Sequence, residues 1–79
     1  MTWNKRVIRR EYPPVSVTFS IHEVFYDEDG KIDGWTAEPV CLSGDDLNDL
    51  KLDFFQTAIA FLKPVLVEEG DTLVEYKPR

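Results

Sequence analysis

The segment from Phe25 to Trp35, FYDEDGKIDGW, holds the side chains best suited to bind a metal ion. Its carboxylates are those of Asp27, Glu28, Asp29 and Asp33, four within seven residues. Oxygen ligands at such short spacing are typical of calcium loops, and converging carboxylates can also hold the divalent ion of a nuclease. The third interpretation is a solvated acidic turn between two strands.

An EF-hand calcium loop requires a carboxylate at its first position, a glycine at its sixth and a glutamate at its last. With Gly30 at the glycine position, the first position falls on Phe25 and the last on Thr36. Two required ligands are therefore missing. The residues before Gly30 also predict a strand, where an EF-hand would have a helix.

A nuclease-type site would combine the carboxylates of Asp27, Asp33 and Glu38. Strand geometry argues against it, because Asp27 and Glu38 lie at or beyond opposite ends of the predicted hairpin. We therefore expect a solvated acidic surface, with no metal and no other cofactor. If these carboxylates have a function, binding a basic partner is the better interpretation.

A Cys–His pair could perform nucleophilic chemistry, and the chain has one residue of each type, Cys41 and His22. We expect His22 on the strand face that points away from the core, and Cys41 as a small buried hydrophobe before the helix. The same two residues cannot supply the four ligands of a structural zinc site, and one cysteine cannot form a disulfide within the chain. The segment GDDLNDL is not a phosphate-binding loop. We therefore expect no enzymatic activity.

The charge distribution is uneven, with a net charge of −6 for the chain but +4 in its first ten residues. Binding of nucleic acid is unfavourable for the acidic whole. The basic cluster leaves contact with RNA or DNA as the alternative function, and the favoured interpretation is an edge strand whose charges prevent aggregation or pair with the chain's own acids. The residues of the cluster are Lys5, Arg6, Arg9 and Arg10.

Three strands are predicted before the helix, over Trp3 to Tyr12, Val15 to Tyr26 and Lys31 to about Glu38. A three-residue loop ending at Gly30 sets the second hairpin, and it pairs Glu23 with Trp35 and Tyr26 with Ile32. Alternation along the second strand predicts one buried face. In this register that face contains Val15, Val17, Phe19, Ile21, Phe25, Trp35 and Ala37.

The helix should begin after a cap at Ser43 or Asp45 and end at Lys63, before Pro64. Its apolar stripe is predicted to pack on the sheet and consists of Leu47, Leu50, Phe54, Ala58 and Phe61. Three further apolar residues widen this face beyond what a thin sheet can cover. Phe55, Ile59 and Leu62 either pack under the C-terminal tail or form a dimer contact.

Seventy-nine residues form one small domain, and small domains without disulfides or metals often associate with themselves. We therefore expect a homodimer, with residues 1–66 as a single domain and residues 67–79 as a C-terminal tail. The tail could add a short strand near Leu73 to Tyr76. No signal peptide and no membrane-spanning apolar run is present, which is typical of a soluble cytoplasmic protein.

Residues Phe19 to Leu50 resemble the HicB-like antitoxin domain of bacterial toxin–antitoxin systems. The similarity consists of a strand, a D-E-D-G hairpin, a second strand with an aromatic residue, C-x-S-x-G-D and a helix that starts L-x-x-L. The chain resembles still more closely a group of short uncharacterised bacterial proteins. The shared patterns are WN-x-R-V at Trp3–Val7, IHEV-x-Y-D-E-D-G at Ile21–Gly30 and KPVL at Lys63–Leu66.

The HicB resemblance implies an α+β fold: a three-stranded antiparallel sheet with one helix packed on one face, in some members closed by a further strand. Family members bind and block a small ribonuclease toxin, often form oligomers, and have no catalytic residue in this domain. Many also carry a C-terminal DNA-binding domain, for which the 15 residues after Pro64 are too few.

The expected function is therefore that of a non-enzymatic protein-binding module, homodimeric and HicB-like in fold. A basic protein such as a small nuclease toxin is the expected kind of partner, since opposite charge favours encounter. The side chains expected to bind it are Asp27, Glu28, Asp29, Phe55, Ile59 and Leu62.

Overall fold

The computed structural model describes residues 2–12 and 16–77, which form five strands and one helix. The predicted α+β class and the order β-β-β-α are confirmed, and the tail contributes two strands where one was expected. No helix of the described residues is long and apolar enough to span a membrane. The elements are β1 (Thr2–Tyr12), β2 (Ser16–Tyr26), β3 (Ile32–Trp35), α1 (Leu47–Ala60), β4 (Leu66–Glu69) and β5 (Thr72–Glu75).

All five strands belong to one mixed sheet, in the order β3-β2-β1-β4-β5, that curls into a nearly closed barrel. The basic strand β1 is its centre, so the prediction of an edge strand is wrong. β1 pairs with β2 in antiparallel register over its whole length. On its other side β1 pairs in parallel with β4, where Ile8 lies opposite Leu66 and Arg9 opposite Val67.

The hydrophobic core lies inside the barrel and is built on the face that was predicted to be polar. Its buried residues are Ile8, Val24, Leu66 and Leu73, with Tyr26, Ile32 and Trp35 packed against them. The hairpin of β4 and β5 supplies two of these side chains, and that hairpin covers the even-numbered face of β2. The predicted core face is the outer surface of the sheet, where Phe19 is 59% exposed. Ala37 is also exposed, and Val15 lies outside the described residues.

The turn between β2 and β3 has the predicted three-residue loop, with Tyr26 paired with Ile32. A bulge then shifts the register by one residue, so Val24 lies opposite Trp35 and the predicted pairing of Glu23 with Trp35 is wrong. Since a one-residue shift transfers a side chain to the other face, the bulge places Trp35 inside the barrel.

Gly30 closes this turn with a φ of 79°, a conformation that costs other residues about 1 kcal/mol or more. We expect Gly30→Ala to lower the free energy of unfolding by about 1 kcal/mol because of this backbone strain alone, since a Cβ there would meet no atom within 4 Å. Gly34→Ala is the matched control, because that site is equally open and has no positive φ. Urea unfolding of both variants measures the difference, and equal losses would contradict the prediction.

The helix α1 is capped by Asp46, whose Oδ1 accepts a hydrogen bond from the Asp49 backbone N at 2.8 Å. The predicted caps, Ser43 and Asp45, are therefore wrong by one residue or more. At the other end, tighter turns continue the chain to Lys63, whose backbone N donates to the Ala60 carbonyl at 3.3 Å. α1 packs on the outer face of the barrel, beside β1.

Candidate functional site

The side of α1 that contacts the sheet is polar. Lys5 projects from the outer face of β1, forms an ion pair with Asp53 and donates to the Thr57 hydroxyl at 3.2 Å. Ala60, one turn further, is completely buried. These helix residues are spaced by four and three, so they share one face. Because the Lys5 side chain is only 4% exposed, its ammonium requires polar partners here, and this side of the helix supplies them.

The opposite side of α1 is apolar and exposed. The predicted stripe that includes Leu47, Phe54 and Phe61 points away from the sheet, so the prediction that it packs there is wrong. Within this surface the Phe54 and Phe55 rings stand edge to face, with centroids 5.9 Å apart. The helix patch, as we call this surface, consists of eight side chains, all at least 37% exposed: Leu47, Leu50, Leu52, Phe54, Phe55, Ile59, Phe61 and Leu62.

The three apolar residues predicted to bind a partner all belong to the helix patch. Phe55 is 58% exposed, Ile59 50% and Leu62 84%. Their exposure contradicts the first of the two predicted roles, packing under the C-terminal tail, and the intermolecular contact stays a prediction. Large contiguous apolar surfaces of this kind mark sites of association in soluble proteins.

In the acidic turn, Asp27 has a structural role, whereas Glu28 and Asp29 extend into solvent. Asp27 Oδ1 accepts hydrogen bonds from the backbone N atoms of Asp29 and Lys31, at 2.9 and 3.0 Å, and thereby shapes the loop. Glu28 and Asp29 are exposed. Across residues 2–12 and 16–77, no three side chains of the types that bind metals come together.

Two residues of the basic cluster, Lys5 and Arg6, are held by contacts within the chain. Lys5 is the buried partner of Asp53. Arg6 donates from its terminal nitrogens to the Tyr26 hydroxyl at 3.1 Å and to the Pro64 carbonyl at 2.9 Å. Lys5 is buried, and the terminal nitrogens of the half-buried Arg6 are already engaged within the chain.

Arg9 and Arg10 are also engaged. Arg9 pairs with Glu11 at 3.0 Å, and its guanidinium lies 4.6 Å from the centre of the Tyr76 ring. Arg10 pairs with Glu68 at 2.8 Å and donates to the Ala37 carbonyl at 2.7 Å. Three of the four basic residues thus pair with the chain's own acids, which supports that interpretation of the cluster.

Glu68 also accepts a hydrogen bond from the Trp35 indole nitrogen, at 3.3 Å. One carboxylate therefore links β4 to Arg10 on β1 and to Trp35 on β3. A groove of about 550 Å³ opens beside it, where β1 extends past β4. Both arginines of its described lining, Arg9 and Arg10, are already paired with carboxylates of the chain.

His22 is completely buried inside the barrel, so the prediction that it points away from the core is wrong. Its Nδ1 lies 2.9 Å from the Thr36 carbonyl and must carry the proton, because a carbonyl only accepts. Its Nε2 accepts from the Ser20 hydroxyl at 3.1 Å. Cys41 is exposed, against the prediction that it is buried, and both imidazole nitrogens are occupied by other groups. The arrangement is that of a structural histidine.

Burial lowers the pKa of His22, with the hydrogen bond to Thr36 opposing that shift. A histidine with a lowered pKa in the folded state must bind its proton preferentially on unfolding. We therefore expect the free energy of unfolding to be constant above about pH 7 and to fall as the pH drops below about 6.5, at up to about 1.4 kcal/mol per pH unit.

Urea unfolding between pH 5 and 8 measures this dependence, with His22→Asn as the control. Asparagine retains a donor for the Thr36 carbonyl but does not titrate, so the variant should be less stable at pH 7.5 and nearly insensitive to pH in this range. If the free energy of unfolding depends on pH in the same way in His22→Asn, titratable groups other than His22 cause the fall in stability.

The surface that sequence reasoning missed is the polar side of α1. The spacing of Asp53, Thr57 and Ala60, which puts two polar residues and a small one on one side of the helix, was the available signal, together with a lysine inside the first strand. What stands out in the structure is therefore the exposed helix patch, beside a barrel whose buried histidine is hydrogen-bonded at both ring nitrogens. No protein-family model, curated protein or solved structure matches this chain.

Proposed function

We propose that this protein is a non-enzymatic protein-binding module and that the helix patch is its binding surface. One observation carries the proposal: α1 directs Asp53 and Thr57 toward the sheet, while α1 and the turn that follows it expose eight large apolar side chains. An amphipathic helix normally does the reverse, because its apolar side is the one removed from water. The orientation is favourable only if something else covers the patch.

The energetic argument depends on area. Burial of apolar surface contributes about 25 cal/mol per Å², and a monomer's largest apolar patch is usually about 300–600 Å². The helix patch includes three phenylalanines that are more than half exposed, at about 150–250 Å² for each complete side chain. Together with the five aliphatic residues, it exceeds what a surface without a partner normally presents.

The resemblance to the HicB-like antitoxin domain supports the same class of function. We propose that the fold is HicB-like, since the order β-β-β-α followed by further strands agrees with what that resemblance implies. A basic partner, such as a small nuclease toxin, would meet the exposed carboxylates of Glu28 and Asp29 on a chain of net charge −6. Opposite charges of this kind accelerate association.

The test is affinity capture from the native cell with two tagged variants in parallel. Leu62→Asp places a charge in the helix patch at a residue that is 84% exposed, so the fold should be retained. Thr72→Asp is the matched control, because it introduces the same charge on β5, away from the helix. We expect a protein that wild type and Thr72→Asp retain and Leu62→Asp loses. Identical recoveries by all three would refute the proposal.

Contact with nucleic acid through β1 is the alternative, and the structure offers it no comparable support. All four basic side chains already hold partners within the chain, and Lys5 is buried. If the alternative holds, RNA binding falls with salt and is lost when the four basic residues of β1 are changed to alanine. An absence of RNA binding even in low salt would exclude the nucleic-acid alternative.

A further inference from the structure

We propose that the helix patch is covered by a second copy of this chain, with the two α1 helices packed antiparallel across a two-fold axis. This inference rests on the proposed function, and it names the partner at that same surface. Three observations carry it: the size of the patch, the sequence along its central line, and the charges at the two ends of the helix.

The size of the patch matches one side of a stable dimer. Its eight side chains are between 37% and 84% exposed, which gives on the order of 800 Å² of apolar surface. Stable interfaces bury about 800 Å² per partner, and those of homodimers are the more apolar ones. Leu50 and Leu52 lie on opposite sides of the helix, so one partner helix covers part of this area, and that part forms the apolar centre of the interface.

The central line of the patch is self-complementary when the helices run in opposite directions. A two-fold axis between Phe54 and Phe55 brings each of these rings to its own counterpart. The same axis places Leu47 opposite Leu62 of the second copy, so an apolar side chain meets another at both ends. In between, Lys51 lies opposite Ala58 of the second copy, whose small side chain leaves room for the lysine stem to reach water.

The charges at the helix ends select the antiparallel arrangement. Asp45 and Asp46 stand at the start of α1, and Lys63 follows its end. In the antiparallel pair, Lys63 of each copy approaches the acidic start of the other. A parallel pair would instead bring acids beside acids and align the two helix dipoles, which is unfavourable.

Sedimentation at about 100 µM protein tests association. We expect a dimer for wild type and for Thr72→Asp. For Leu62→Asp we expect a dissociation constant at least about 30-fold higher, because the new charge would face the apolar Leu47 of the second copy. Circular dichroism establishes that the variant is folded. A wild type that is strictly monomeric, or a dimer that Leu62→Asp leaves unchanged, would overturn the proposal.

A charge exchange tests the antiparallel direction. Asp45→Lys and Lys63→Asp should each weaken the dimer by about two- to fivefold, and the double variant should recover it. Asp45 is the suitable acid because Asp46 caps the helix. If the losses of dimer affinity in the two single variants simply add in the double variant, the pairing of Asp45 with Lys63 is rejected.

Cysteine crosslinking tests the position of the axis, on a Cys41→Ser background. Phe55→Cys should form a disulfide with its counterpart under mild oxidation, because the two residues meet near the axis. Leu47→Cys alone should not, whereas a mixture of Leu47→Cys and Leu62→Cys chains should crosslink. Efficient crosslinking of Leu47→Cys to itself would overturn the antiparallel arrangement.

The two proposals fail in different ways. If the wild type is monomeric but captures a protein that Leu62→Asp loses, the proposed protein-binding function stands. The same result overturns the proposal that a second copy covers the helix patch. A dimer that depends on Leu62 supports both. A monomer that captures the same proteins with and without the Leu62→Asp substitution refutes both.

Discussion

Ile8→Ala is expected to lower the free energy of unfolding by about 2–5 kcal/mol, the cost of a cavity at a completely buried aliphatic residue. Ile8 lies on the central strand, opposite Leu66 of β4, and packs with Val24 and Leu73. A domain of this size has roughly 4–12 kcal/mol of stability in total. The variant should therefore unfold at a much lower urea concentration, and a fraction of it should be unfolded without denaturant.

Phe19→Ala is the matched control for Ile8→Ala, because the alternation of β2 predicts Phe19 in the core while the structure has it 59% exposed. We expect a loss below about 1 kcal/mol. Urea midpoints with unchanged slopes measure both variants. A larger loss for Phe19→Ala than for Ile8→Ala would mean that the other face of the sheet is the core.

The second large effect is expected for Asp53→Ala, with Lys5→Met as its counterpart. Loss of the carboxylate leaves the Lys5 ammonium, in a side chain that is 4% exposed, without its charged partner. A buried charge without a partner is strongly unfavourable. We expect the folding equilibrium constant to fall at least about tenfold. Lys5→Met should cost much less, since Asp53 is partly exposed and still accepts from the Ser43 backbone N at 3.0 Å.

The order of these two stabilities is the decisive result, and urea unfolding of both variants at pH 7 provides it. Equal losses would mean that the pair contributes as a simple surface contact. The hydrogen bond from Lys5 holds the pKa of Asp53 below its usual value. A depressed carboxyl pKa gives stability that is present at neutral pH and is lost as the pH falls below about 4, so the difference between wild type and Asp53→Ala should shrink there.

The order of the elements could be predicted from the sequence because each has a local signal. Alternation marked β2, Gly30 marked the turn, and apolar spacing with Pro64 marked the helix and its end. The three-residue loop followed from the same local chemistry. None of these signals depends on how the elements later pack.

The inward face of the sheet could not be predicted, because both faces of β2 carry side chains that a core can accept. His22 and Ser20 become inner residues by bonding to each other and to Thr36, which removes the cost of burying them. The hairpin that covers them begins at Leu66, far along the chain. Alternation along β2 separates its residues into two faces. Only the distant hairpin of β4 and β5 decides which of the two faces lies inside the barrel.

The direction of the helix depended on a single side chain from another element. The apolar residues of α1 would by themselves direct its broad apolar side toward the sheet. Lys5 decides the orientation, since its buried ammonium selects the side with Asp53 and Thr57. The same choice creates the candidate site, which is why Phe55, Ile59 and Leu62 could be named as contacts from the sequence while the reason for their exposure could not.

The parallel pairing of β1 with β4 has a consequence for how quickly the chain folds. The contact of Arg10 with Glu68 spans 58 residues, whereas β1, β2 and β3 follow one another closely along the chain. Contacts between distant segments form slowly because a long loop must close first. We expect the three-stranded meander to form early and the barrel to close in a later, slower step. In pulsed hydrogen exchange, the amides of β2 should be protected before those of β4 and β5.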